Sequence, residues 1–133
     1  MSREILFRSK RIDNGEWVEG YVSKYFDGFK TATCIAWPTR ETITGSLCYD
    51  VDPATVGQYT GLTDKNGKKI FEGDVMEFDA YEMHYKGEVF FDEGIFCVTC
   101  NRPTASTFLM IAVLHDAICV GNIHDNPELL EGD

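Results

Sequence analysis

The chain has 133 residues, 44% hydrophobic and 13% aromatic, enough apolar material for one soluble domain or two small ones sharing a core. Formal net charge is −10, unevenly spread: residues 1–52 carry 7 basic and 8 acidic side chains, residues 53–133 carry 5 and 14. So acidic a second half repels phosphate backbones, which makes nucleic acid an unlikely ligand there and favours a basic partner.

No apolar run approaches the roughly 20 residues that span a bilayer. The opening MSREILFRSKR has no long apolar stretch of the signal-peptide kind. A cytoplasmic protein without membrane contact is expected. Five cysteines at irregular spacing, Cys34, Cys48, Cys97, Cys100 and Cys119, fit reduced thiols better than a disulfide framework.

In chain order, REILFRSKR is a short apolar run bounded by charge, and Asp13-Asn14-Gly15 is a strong hairpin turn. EWVEGYVSKYF follows as a strand, with Trp17, Glu19 and Tyr21 on one face and Val18, Gly20 and Val22 on the other. Asp27-Gly28 turns the chain again; FKTATCIAW reads as a third strand ended by Pro38, and ETITGSLCYDV as a fourth, giving a small antiparallel meander. In DPATVG, Asp52 can cap a single helical turn that starts at Pro53 and stops at Gly57.

GLTDKNGKKIF reads as a hairpin turning at Lys65-Asn66-Gly67, and EGD as a second reversal into DVMEFDAYE. There Met76 and Phe78 share one face, Glu77 and Asp79 the other. KGEVFFDEGIFCVTC is a further hairpin with Asp92-Glu93-Gly94 as its loop. Phe108 to Leu114 is a short apolar run of ambiguous type, assigned to strand by the β-branched residues around it. AICVGNI is another strand, and Asn126 can cap a last helical turn from Pro127, anchored by Leu129 and Leu130. Short strands between turn signals, with little helix, imply an all-β roll, barrel or sandwich.

Four patterns bear on chemistry. Cys97-x-x-Cys100 followed by His115 and Cys119 has zinc-like spacing. On a strand, however, residues three apart point to opposite faces, so buried free thiols are expected instead. Glu72, Asp74, Glu77, Asp79 and Glu82 could hold a hard cation or an acid–base pair, yet they also read as one solvated strand face. Asp64-Lys65-Asn66-Gly67 resembles a calcium loop but lacks its remaining oxygen ligands. Arg3, Arg8, Lys10 and Arg11 form a small basic cluster, the one place where nucleic acid could bind. His84, His115 and His124 lie in no serine or cysteine motif. No catalytic, cofactor-binding or metal residue is therefore assigned, and an enzyme is not expected.

VDPATVGQYTGLTDKNGKKIFEGDV, with the opening REILFRSKRIDNGEWVEGY and the ending VGNIHDNPELLE, resembles the YopX family of phage and prophage proteins. The resemblance implies a small phage- or prophage-encoded protein with an SH3-like β-barrel or roll over residues 57–133, preceded by a small antiparallel β-rich region over 1–56. It implies no biochemical activity and no site residues. Its central motif, read physically, is turns and packing residues: Gly57, Gly61, Gly67 and Gly73 with Tyr59, Leu62, Ile70 and Phe71. That stretch is expected to join the N-terminal sheet to the barrel, whose first strand begins at GDVMEF. The function expected is a non-enzymatic protein-interaction module with an unidentified, basic partner, open to self-association through exposed strand edges. The alternatives are a metal-dependent or small-molecule enzyme, and a weak nucleic-acid binder through the N-terminal basic cluster.

Overall fold

A computed structural model describes residues 4–37, 47–101 and 104–131. The chain divides into two compact units, Met1–Gln58 and Tyr59–Asp133. Both are built from antiparallel strands, as the turn-separated short runs predict.

The first unit is a meander of β1 (Phe7–Lys10), β2 (Trp17–Phe26), β3 (Thr31–Trp37) and β4 (Leu47–Asp50), in the spatial order β4-β3-β2-β1. Its turns follow side-chain chemistry: Asn14 Oδ1 accepts from Glu16 N at 2.9 Å, and Asp27 Oδ1 accepts from Phe29 N and Lys30 N, each at 2.9 Å. Gly20 is bare for packing reasons, because a Cβ there would lie 2.5 Å from the Ala36 carbonyl oxygen. The expected cap at Asp52 is formed, its side chain accepting from Ala54 N ahead of a single 3-10 turn, Pro53–Thr55. Thr55 Oγ1 also accepts from Lys10 N at 2.9 Å and lies 2.7 Å from the buried Ser9 hydroxyl, so the turn is fastened to β1 by satisfied polar groups. Of the expected fourth strand, residues 41–46 lie outside the described residues, as does Pro38.

Strand β5 (Gly57–Thr63) pairs β1 at its first two residues and β6 (Lys69–Phe71) over the remainder. The hairpin between β5 and β6 turns at Lys65-Asn66-Gly67, with Gly67 at φ +83°. Beyond it come β7 (Asp74–Ala80), β8 (Met83–Asp92), β9 (Ile95–Asn101), β10 (Thr104–Phe108), helix α1 (Leu109–Leu114) and β11 (Ile118–Asn122). These five strands form a sheet of order β10-β9-β8-β7-β11. Ile70, Met76, Phe78, Val89, Val98 and Leu109 are among its buried core. Gly87 lets β8 and β9 close up: a Cβ there would meet Thr99 O at 2.3 Å.

Four expectations need correction. The five-stranded sheet is open, with β10 and β11 as its two edges, and the strands are not closed into a barrel. Leu109–Leu114 is a helix rather than strand: Leu109 and Ala112, three apart, are its buried residues, the spacing of one helical face. Asp74 is fully buried and accepts from Phe71 N at 2.9 Å, which closes the Glu72-Gly73 reversal, so it does not share a solvated face with Glu77 and Asp79. Asn126 precedes the 3-10 turn Pro127–Leu130 without capping it, its Oδ1 instead accepting from Asn122 N at 3.3 Å. Among the described residues no helix is long and apolar enough to cross a membrane.

Candidate functional site

The second unit has two hollows that meet at His115. The more enclosed one measures about 220 Å³, below the roughly 300–1,000 Å³ of small-molecule pockets and suited to a single side chain. Its walls are mostly apolar: Phe78, Ala80, Tyr85 and Cys100 come from the sheet, and Ile111 from α1. Phe78 and Tyr85 stack at 5.2 Å between centroids, which makes one wall rigid. Ser106 and Thr107 of β10 also line it, and the Tyr81 ring stands 5.5 Å from the His115 ring.

Across Phe78 and His115 lies a shallower hollow of about 410 Å³, lined also by Lys65, Glu77, Asp79, His84, Asp116 and Ile118. His84 Nδ1 is 2.7 Å from Asp79 Oδ1, and its Nε2 is 3.6 Å from Glu77 Oε1. The hydrogen bond to Asp79 raises the His84 pKa above its ordinary value; Glu77 adds to this, and slight burial opposes it. The hollow presents three carboxylates, Glu77, Asp79 and Asp116, and one lysine, Lys65.

Backbone strain gathers at the same place. Tyr81 (φ 53°) and Glu82 (φ 65°) form the two-residue turn between β7 and β8, and Asp116 (φ 60°) follows His115. Left-handed backbone costs a residue with a Cβ about 1–2 kcal/mol. The turn between β8 and β9 is more ordinary, with Glu93 at φ 49° followed by Gly94 at φ 85°. Tyr81, which lines the enclosed hollow, is 76% exposed, and on α1, the helix that supplies Ile111 to it, Met110 and Leu114 are 61% and 76% exposed.

The sequence motifs that suggested chemistry are placed apart. Cys97 pairs with Phe108 across β9–β10, Cys100 lines the apolar hollow, and Cys119 pairs with Met76 on β11. Burial pushes all three thiols up. Among the described residues no three of His, Cys, Asp and Glu are grouped to hold a metal ion. Of the acidic run, Glu77 and Asp79 line the second hollow and Glu82 follows Tyr81 in the adjoining turn, whereas Asp64, from the rejected calcium-like motif, braces the neighbouring turn: its carboxylate accepts from Asn66 N, Lys68 N and Cys119 N. The sequence reading missed Tyr81, Met110, Ile111 and Leu114, which carry no motif; a Tyr-Glu pair in a tight turn was the available signal.

In the first unit Arg3 lies outside the described residues, and Arg8, Lys10 and Arg11 of the basic cluster are engaged by their own surface. Arg8 Cζ lies 4.7 Å and Lys10 Nζ 5.5 Å from the Trp17 ring centroid, while Arg11 pairs with Asp13 at 2.6 Å and lies 4.1 Å from the Tyr49 ring. A wide cleft of about 950 Å³ opens beside Arg11, Tyr25 and Asp50. Its polar groups are largely spent on each other: Tyr25 Oη donates to Asp50 Oδ1 at 2.6 Å, which drives the phenol pKa up to about 12. The smaller, drier hollow at His115 is therefore the stronger site.

The crystal structure of protein EF1440 from Enterococcus faecalis is similar to this chain, at 26% identity and a TM-score of 0.57, covering 97% of this chain and 99% of that one. None of the curated proteins gives a match. The family model for YopX protein matches residues 6–131, nearly the whole length, and the chain belongs to the YopX family.

Proposed function

We propose that the protein is a non-enzymatic interaction module, encoded by a phage or prophage and acting in the cytoplasm of the bacterial host, and that the hollow at His115 docks a protein partner. The observation that carries this reading is a small apolar hollow lined by the exposed Tyr81 and by Ile111 of α1, the helix on which Met110 and Leu114 are also exposed. Exposed large apolar groups gathered around a concavity mark interaction surfaces, whereas scattered ones need no explanation. The −9 balance of residues 53–133, 5 basic against 14 acidic, favours a basic partner.

The test is capture of partners from host lysate by the tagged full chain beside its Met110→Ser/Leu114→Ser variant. Both side chains are exposed, so the variant keeps its fold, checked by circular dichroism. A partner retained by the wild type and lost by the variant supports the proposal. A partner retained equally by both, or none retained by either, overturns it.

A further inference from the structure

We infer that the two hollows flanking His115 form one bipartite peptide site, taking an aromatic or leucine-sized side chain in the enclosed hollow and a lysine or arginine two residues away in the acidic one, with the Tyr81-Glu82 turn as its recognition loop. The inference deepens the docking reading above and rests on it.

The enclosed hollow has the size and walls for one apolar side chain, and the second presents Glu77, Asp79 and Asp116 against Lys65. Phe78 and His115 line both hollows, so their occupants are separated by one shared wall. In an extended peptide, side chains at i and i+2 point the same way and lie roughly 6.6 Å apart. An apolar residue, a spacer and a basic residue are the shortest extended pattern that puts one side chain on each side of that wall.

The turn supplies an observation independent of shape and charge. The two-residue turn between Ala80 and Met83 has φ > 0 at both central positions, the type I′ pattern that favours Asn-Gly. Here it is Tyr-Glu, with no glycine to relieve either residue. The Tyr81 ring remains 76% exposed, so its burial does not offset the strain. Strain that stability does not explain, located at the mouth of a cavity, points to binding. Tyr81 would close over the peptide's apolar residue while Glu82 adds carboxylate charge to the rim.

The test is a titration of the full ¹⁵N-labelled chain at pH 7.5 with N-acetyl-Gly-Phe-Gly-Lys-Gly-amide, alongside peptides with Glu for Lys or Ala for Phe. The Phe-Gly-Lys peptide is expected to shift the amides of Ala80, Tyr81, Ile111, His115 and Asp116. The Glu peptide should bind about tenfold more weakly, the Ala peptide should leave these amides unmoved, and added salt should narrow the Lys–Glu difference. A Tyr81→Asn/Glu82→Gly double variant should unfold at a higher temperature and bind about tenfold more weakly. Equal binding of the Lys and Glu peptides overturns the bipartite site and leaves the docking reading standing. A double variant that binds as the wild type does, or unfolds earlier, overturns the recognition loop. Failure of every peptide to move these amides overturns the inference as a whole, and partner capture by the Met110→Ser/Leu114→Ser variant then decides the docking reading separately.

Discussion

Replacing Asp64 would test the joint that holds the His115 turn in position. The side chain is 7% exposed. Its Oδ1 accepts from Asn66 N and Lys68 N, each at 2.9 Å, and its Oδ2 from Cys119 N at 3.0 Å, while the adjacent Lys65 N donates to Ala117 O at 3.1 Å. One carboxylate thus ties the β5–β6 turn to the start of β11, whose Ile118 lines the second hollow. Alanine removes all three acceptor contacts. Asn66 and Lys68 are exposed and water can take over their amides, but the Cys119 amide is part-buried; hydrogen bonds to a charged group are worth about 1.5–3 kcal/mol, so the net loss is roughly 2–4 kcal/mol. Asparagine keeps one acceptor oxygen but turns an amide toward a donor or loses that contact, for about 1–3 kcal/mol. The pH dependence has a definite sign. Burial pushes the Asp64 carboxyl up, but the three amides together outweigh it and hold the pKa below the ordinary 3.8. Its stabilisation is therefore complete above the unfolded value and fades as pH falls through the folded one. Urea unfolding at pH 7 and at about pH 3 would read this as a shift in midpoint at constant slope, with the gap between wild type and Asp64→Asn narrowing in acid. An Asp64→Ala protein within about 0.5 kcal/mol of wild type at pH 7, or a gap unaffected by acid, would refute the reasoning.

Other consequences are equally direct. Gly87→Ala places a methyl 2.3 Å from Thr99 O and 2.7 Å from Cys100 Sγ, so the β8–β9 pair must open at about 1–3 kcal/mol, seen as a lower melting temperature; an unchanged melt would mean that the strands do not approach this closely. The His84 ring protons should titrate above the ordinary 6.5 by NMR and fall back in Asp79→Asn, since Asp79 is the leading cause of the shift. Because the folded value is raised, the associated stabilisation is present below 6.5 and is lost as pH rises through the folded value. Protonated His84 also occupies the carboxylates of Glu77 and Asp79, with Lys65, Lys86, His115 and Asp116 the other titratable groups nearby. Binding of the Phe-Gly-Lys peptide should therefore strengthen as pH rises past that value, and a flat profile would separate His84 from the site. Burial, then a hydrogen bond with Cys34, pushes the Cys48 thiol up from 9.0 to about 11. Two pH units leave about a hundredfold less thiolate at pH 8, so Cys48 should react with an aromatic disulfide far more slowly than its exposure suggests.

Much of the fold is legible because its turns are chemically marked. Asp13-Asn14-Gly15, Asp27-Gly28, Lys65-Asn66-Gly67 and Glu93-Gly94 each carry residues that cap a turn or tolerate positive φ, and each reverses the chain where expected. The alternation in β7 likewise places Met76 and Phe78 inward and Glu77 and Asp79 outward. The state of the sheet is different in kind. Whether two edges meet depends on pairing between distant segments, which local pattern does not encode, and the edges here, β10 and β11, are separated in sequence by α1. Asp74 is hidden for another reason: alternation puts it on the inward face with Met76 and Phe78, but a carboxylate there reads as solvated until the turn supplies the Phe71 amide that satisfies it.

The candidate site was least legible because it is built where local rules are broken. In FLMIAVL, the buried pair Leu109 and Ala112 has helical spacing, but Met110 and Leu114 are apolar as well, and these exposed residues erase the contrast that would reveal the period. Polar residues at those two positions would have made the helix plain and left α1 without an exposed apolar face. The same holds at the β7–β8 turn, where Asn-Gly would have marked the hairpin and Tyr-Glu conceals it. Both departures weaken the fold's own signal, and both fall on elements that line one hollow, the turn through Tyr81 and α1 through Ile111. A chain whose propensities, turns and packing otherwise agree has little reason to carry two independent local conflicts at a single place unless they serve something other than folding. The failure of sequence reading at Tyr81, Glu82, Met110 and Leu114 is thus itself an argument for binding there, and one that does not depend on the charge of the neighbouring hollow.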